Sequence, residues 1–146
     1  MSINQGDMSW RQFEQFVEDV VADAVDGMSW RVVAQRQKPY ATPGGDTVNK
    51  RLDFHVAERR QGGKGVVIDA KHFKRSNFNR QQVDSTEEYR RLCRASLAVL
   101  AVSDVTYIPE SVYDYIDRHP RVEVMFVDET FPDNFMALLE DISRAG

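Results

Sequence analysis

Apolar positions near the start of the chain recur at Phe13, Phe16, Val17, Val20, Val21 and Ala24, the i, i+3, i+4, i+7 spacing of a buried helical stripe, which predicts a helix over residues 9–26. Ser9 and Gln12 form a capping-box pattern, Met8 and Phe13 suit a hydrophobic staple, and Gly27 can close the far end. Residues 30–37, WRVVAQRQ, alternate and are rich in strand formers, so they read as a first strand near an edge of the sheet. Residues 38–49 contain Pro39, Pro43, Gly44 and Gly45 and read as a long loop; Tyr40 and Thr42 in it, and Lys50 just after it, could touch a substrate. Residues 51–73 then read as two strands joined through Gln61-Gly62-Gly63.

Beyond this hairpin, Ser85-Thr-Glu-Glu88 offers a second capping box, preceded by Gln81 and Gln82, and Val83, Tyr89, Leu92 and Cys93 carry a helix to about Ala95. The continuous apolar run LAVLAV at 97–102 fits a central strand buried on both faces and paired in parallel after a helical crossover. Pro109 opens a short helix, and VEVMFV at 122–127 gives another buried strand. Pro132 begins a last helix, whose stripe of Phe135, Leu138, Leu139 and Ile142 can pack on the sheet or on a second subunit. The order predicts one α/β domain over residues 1–146, a three-layer α/β/α sandwich on a central mixed sheet, with an αβββαβ core and a C-terminal αβα addition.

Composition narrows the functional classes. With 42% hydrophobic residues, no apolar run of the roughly 18 residues a membrane span needs and no signal-peptide layout at the start, the expectation is an intracellular, cytoplasmic, non-secreted protein. The single cysteine, Cys93, excludes an intrachain disulfide and reads as a small buried hydrophobe. Net charge is −4 but unevenly spread: residues 1–49 carry −3, residues 50–94 carry +6 and residues 95–146 carry −7. The positive third suits a local phosphate-binding surface, although solvated surface charge would look the same.

That positive third also holds two acids and a lysine. Strand alternation puts Leu52, Phe54 and Val56 on one face with Asp53, His55 and Ala57 on the other; in the next strand Val66, Ile68 and Ala70 oppose Val67, Asp69, Lys71 and Phe73. A hairpin turning at Gly62-Gly63 brings Asp53 opposite or nearly opposite Asp69, with Lys71 beside it. One reading is a structural salt bridge to Lys71 or Arg51. The other is a hard-cation site, because Mg²⁺ is usually held by one or two carboxylates. An ionised Asp69 after the apolar run 66–68 is costly unless paired or metal-bound, which favours a site. His55 shares the Asp53 face, His72 points the other way, and His119 looks like surface. With one cysteine and no histidine ligand spacing, the composition argues against zinc. Gly62-Gly-Lys-Gly65 opens a strand rather than a helix, so no P-loop and no nucleotide cofactor is expected.

This arrangement resembles the PD-(D/E)xK nuclease superfamily, of restriction-endonuclease-like fold, including its Mrr-like and archaeal Holliday-junction-resolvase-like branches. Asp53 matches the first acid, and Asp69-Ala70-Lys71 matches the D-x-K. The resemblance implies a metal-dependent endonuclease acting on DNA (restriction, repair or junction-resolving), with Mg²⁺, or Mn²⁺ in its place, held by Asp53, Asp69 and the Ala70 carbonyl. It also implies an acid from the first helix, for which Glu14, just beyond the apolar stripe, is the candidate and Glu18 the second choice. Asp53, Asp69, Lys71 and Glu14 would be catalytic. Lys74, Arg75, Arg80, Gln81, Arg51 and His55 would meet the DNA, within a basic flank that also includes Arg90, Arg91 and Arg94, and a homodimer would cut both strands. Gln82 and Tyr89 are seven apart, which departs from the Gln-x-x-x-Tyr element of the RecB-like branch. The alternatives are a catalytically inactive nucleic-acid-binding domain of the same fold, and a structural or interaction protein.

Overall fold

Helix α1, Trp10–Val25, opens where the apolar stripe predicts: in a computed structural model describing residues 5–33, 37–41, 47–51, 54–60, 63–73 and 78–145, the backbone alone at 37–41 and 47–51, Ser9 is its N-cap. The capping box is reciprocal, the Gln12 amide donating to Ser9 Oγ at 3.1 Å and the Ser9 amide to Gln12 Oε1 at 2.8 Å. Gly27 follows the helix with φ +85°, a left-handed conformation that costs glycine little.

Strand β1 is Trp30–Val33. Two strands follow that overlap the segment read as a loop, β2 (Gln37–Ala41) and β3 (Thr47–Arg51), and pair antiparallel as a separate ribbon. The loop expectation is corrected there. Pro39 had argued against a strand, but both strands of a two-stranded ribbon are edges, where a residue without an N–H is tolerated. Strands β4 (Phe54–Glu58) and β5 (Gly65–Lys71) pair antiparallel, with Phe54 opposite Ile68, His55 opposite Val67 and Val56 opposite Val66.

Helix α2 runs Arg80–Cys93 and starts earlier than its sequence signal. The chain offers two capping boxes, Asn79 with Gln82 and Ser85 with Glu88, and the first is used: the Asn79 amide donates to Gln82 Oε1 at 2.7 Å. The reason is burial. Val83 is fully buried on the sheet-facing side of α2, and a helix starting at Ser85 would leave it outside. Strand β6 (Leu97–Val102), helix α3 (Glu110–Asp117), strand β7 (Val122–Phe126) and helix α4 (Phe131–Arg144) complete the order.

The main sheet has five strands in the order β1-β4-β5-β6-β7, antiparallel through β5 and parallel from β5 to β7, so it is mixed. Every residue of β6 is buried, as an interior strand requires. β7, expected to be equally buried, is the edge, and Glu123 to Phe126 stay partly open. One face packs under α1 and α4, joining Phe13, Val17, Val21, Phe54, Val56, Ile68, Val99, Phe135 and Leu139. The other packs under α2 and α3, joining Val67, Val83, Leu100, Val102, Val112 and Ile116. The chain is thus a three-layer α/β/α sandwich. The α4 stripe is spent within the chain, against α1 and the sheet. Among the described residues no helix is long and apolar enough to cross a membrane.

Candidate functional site

Alternation along β5 sends Val66, Ile68 and Ala70 into the α1–α4 layer and Val67 into the α2–α3 layer, so Asp69 points toward α2. There it is 1% exposed. A buried carboxylate needs partners, and each oxygen has one. Thr86, fully buried on α2, donates its hydroxyl to Oδ2 at 2.6 Å, and Lys71 Nζ lies 3.3 Å from Oδ1. Lys71 ends the strand with 19% of its side chain exposed, so its ammonium bridges the buried acid and the surface. Asp69, Lys71 and Thr86 form one constellation at the carboxyl end of a central strand. The sequence signalled the first two. Thr86 was missed although Val83, three residues earlier, marks the face it shares, since a lone threonine in a polar helix carries no signal of its own.

Asp53 lies outside the described residues; β4 begins at the next residue, Phe54, whose partner Ile68 immediately precedes Asp69 in the chain. His55, paired with Val67, shares the sheet face of Asp69 and is half-buried. Ala70, 1% exposed, turns its methyl to the opposite face. Glu14 is half-buried on α1, which covers that opposite face, with Oε2 shielded from solvent. One turn on, Glu18 has its pKa pushed up by burial first, and then by the charges of Asp19 and Glu14. Among the described residues no three His, Cys, Asp or Glu side chains lie close enough to hold a metal ion, so neither Glu14 nor His55 completes such a group with Asp69.

The basic flank is smaller than its sequence. Lys74 and Arg75 lie outside the described residues, and Arg51 is known by its backbone. Arg90 and Arg91 both turn to Glu87, whose pKa is lowered chiefly by the Arg90 hydrogen bond, and Arg90 Nη1 also donates to the Ala95 carbonyl at 3.0 Å. Arg80 and Gln81 remain exposed, at an open cleft of about 550 Å³ lined also by Phe78, Asn79, Pro109 and Ser111. The Arg80 guanidinium sits 5.0 Å from the Tyr115 ring.

His72 does face away from Asp69, as alternation requires. Its ring stacks on Phe13 with centroids 5.1 Å apart, and Nε2 lies 2.9 Å from the Met8 carbonyl, which can only accept, so Nε2 carries the proton. Nδ1 meets Ser103 Oγ at 2.8 Å, and Ser103 Oγ meets Thr106 Oγ1 at 2.8 Å. Gln5 Oε1 accepts the Asp104 amide at 2.8 Å. This network fastens the segment before α1 across the carboxyl ends of β5 and β6, so His72 is structural. His119 is half-buried rather than plain surface, with Nδ1 2.9 Å from the Tyr115 carbonyl.

Among the described residues this end of β5 offers one carboxylate, Asp69, and Mg²⁺ is held by as few as one or two. A carboxylate oxygen accepts at more than one position, and Oδ1 meets Lys71 at 3.3 Å, looser than the roughly 2.8 Å of a tight charge-assisted bond. Compared with protein-family models, curated proteins and solved structures, the chain has no significant match, and its functional reading rests on this geometry.

Proposed function

We propose that the chain is a metal-dependent nuclease that hydrolyses DNA phosphodiester bonds inside the cell. The observation that carries this reading is the carboxylate of Asp69, buried in a central strand yet tied to an ammonium that reaches the surface. A core built for stability alone would place an aliphatic residue there, because burying an ion pair gains little over good apolar packing. In this proposal Asp69, Asp53 and the Ala70 carbonyl hold Mg²⁺ or Mn²⁺, with Glu14 as a more distant acid. The ion would supply Lewis acidity, lowering the pKa of a bound water and spreading the charge on the phosphorane. Lys71 orients the attacking water and offsets negative charge on the scissile phosphate. Arg80 and Gln81 meet the DNA backbone, with Lys74, Arg75, Arg51 and His55 as further contacts.

A second reading is favoured by the same contacts. Thr86 and Lys71 already satisfy both oxygens of Asp69, as in a domain that binds nucleic acid, or another protein, without cutting. Cleavage of plasmid and branched DNA with Mg²⁺ or Mn²⁺ separates the two. The nuclease reading expects cutting by the wild type and loss of at least about a hundredfold in Lys71→Ala and Asp69→Asn. Equal activity in all three proteins would sink it, and salt-dependent DNA binding without cleavage would establish the binding module.

A further inference from the structure

Thr86 occupies a helix position that faces the sheet and is fully buried, where the default residue is aliphatic. Valine has the same shape and no polar atom to satisfy. The hydroxyl therefore has to be explained by what it meets. It lies 2.6 Å from Asp69 Oδ2 and 2.9 Å from the Gln82 carbonyl one turn back. A hydroxyl has one proton, and with Asp69 ionised both neighbours are acceptors. The shorter, charged contact takes it. Oδ2 is thereby committed to α2, which fixes the plane of the carboxylate, and Oδ1 is turned toward Lys71.

We infer that Thr86 is the positioning residue of the site: its hydroxyl holds the Asp69 carboxylate so that Oδ1, and not Oδ2, is the oxygen offered to a divalent cation. This rests on Asp69 being the cation ligand proposed above. The sequence separation of 17 residues between donor and acceptor makes it a property of the β5–α2 crossover rather than of a local motif.

The test uses the whole chain, with Thr86→Val, which keeps the shape and removes the hydroxyl, and Thr86→Ser, which keeps the hydroxyl. Mn²⁺ is titrated by calorimetry in the absence of DNA. Thr86→Val should weaken Mn²⁺ binding about 10- to 100-fold, the usual effect of losing an outer hydrogen-bond partner of a ligand, and Thr86→Ser should stay within about threefold of wild type. Wild-type affinity in folded Thr86→Val, or equal weakening in both variants, overturns the inference. Should Thr86→Val fail to fold, Thr86→Cys, with a similar volume and a weak donor, reads the same loss. In parallel, urea unfolding of Thr86→Val, Asp69→Ala and the double variant measures their coupling without metal. If wild type binds no Mn²⁺, the nuclease reading falls and the cycle decides about Thr86. Coupling of about tenfold or more in the unfolding constant retains it as the residue that orients Asp69, and anything smaller overturns it.

Discussion

Removing one member of the Asp69–Lys71 pair is not equivalent to removing the other, because only Asp69 is wholly buried. Lys71→Met leaves a buried carboxylate facing an apolar chain, with the Thr86 hydroxyl still donating to it; the expected loss is about 1–3 kcal/mol, below the figure for a fully buried pair because Lys71 reaches water. Asp69→Asn leaves an ammonium that can turn to solvent and an amide oxygen that still accepts from Thr86, so its loss should be smaller. Urea denaturation in chelator checks the order, and the reverse order would show that Asp69 is not held as a charge. Glu58 poses a different problem at the other end of β4. It is buried, and its pKa is lowered mainly by the Lys64 amide, opposed by burial, with the Ser143 hydroxyl and Arg60 adding to the lowering. A carboxyl whose folded pKa lies below its ordinary 4.5 contributes stability fully above that value and loses it as pH falls through the folded pKa. Glu58→Gln should therefore lose less stability than wild type between about pH 5 and about pH 3, measured by denaturation at each pH. Gly63 belongs to the same corner: a Cβ there would come within 2.6 Å of Glu58 Cβ.

At the scale of elements, α2 decides how the site is built, and its start can be tested. Asn79→Ala removes the working cap and should cost about 1 kcal/mol, whereas Ser85→Ala, at a cap signal left inside the helix, should change stability by less than about 0.5 kcal/mol. Thermal unfolding of the two variants distinguishes them, and the opposite ranking would move the helix start. The same helix shows what the chain made legible. Alternation in β5 and the 3.6-residue stripes of α1 and α4 are local, so the faces of Asp69 and Lys71 could be read directly. The cap that works, Asn79 with Gln82, was passed over for the Ser85–Glu88 pattern, because which side chains meet the sheet is not a local property. β6 and β7 carry similar apolar runs, and only strand order, a non-local property, makes one central and the other an edge. The β2–β3 ribbon was hidden by proline and glycine, whose turn signal outweighs two short strands.

For the whole molecule, the question is how a chain of net charge −4 would hold a polyanion. Not every cation behind the +6 of residues 50–94 is free to reach a phosphate, because Arg90 is held by Glu87 and by the Ala95 carbonyl. A homodimer would add a second basic surface, and since the α4 stripe packs within the chain it would use another face. Each phosphate neutralised releases condensed counterions and adds about −0.9 to the slope of log K against log salt on duplex DNA. Arg80→Ala should therefore make the slope shallower by about one, since Arg80 is exposed beside the open cleft. Arg90→Ala should leave the slope unchanged while lowering the melting temperature, since its contacts lie inside α2 and the turn after it. Anisotropy of labelled duplex and branched DNA between about 50 and 200 mM salt reads both slopes. A change with Arg90→Ala equal to that with Arg80→Ala would place the DNA along the whole of α2 rather than at its N-terminal end, and would separate phosphate binding from the carboxyl edge of β5 where Asp69 and Lys71 stand.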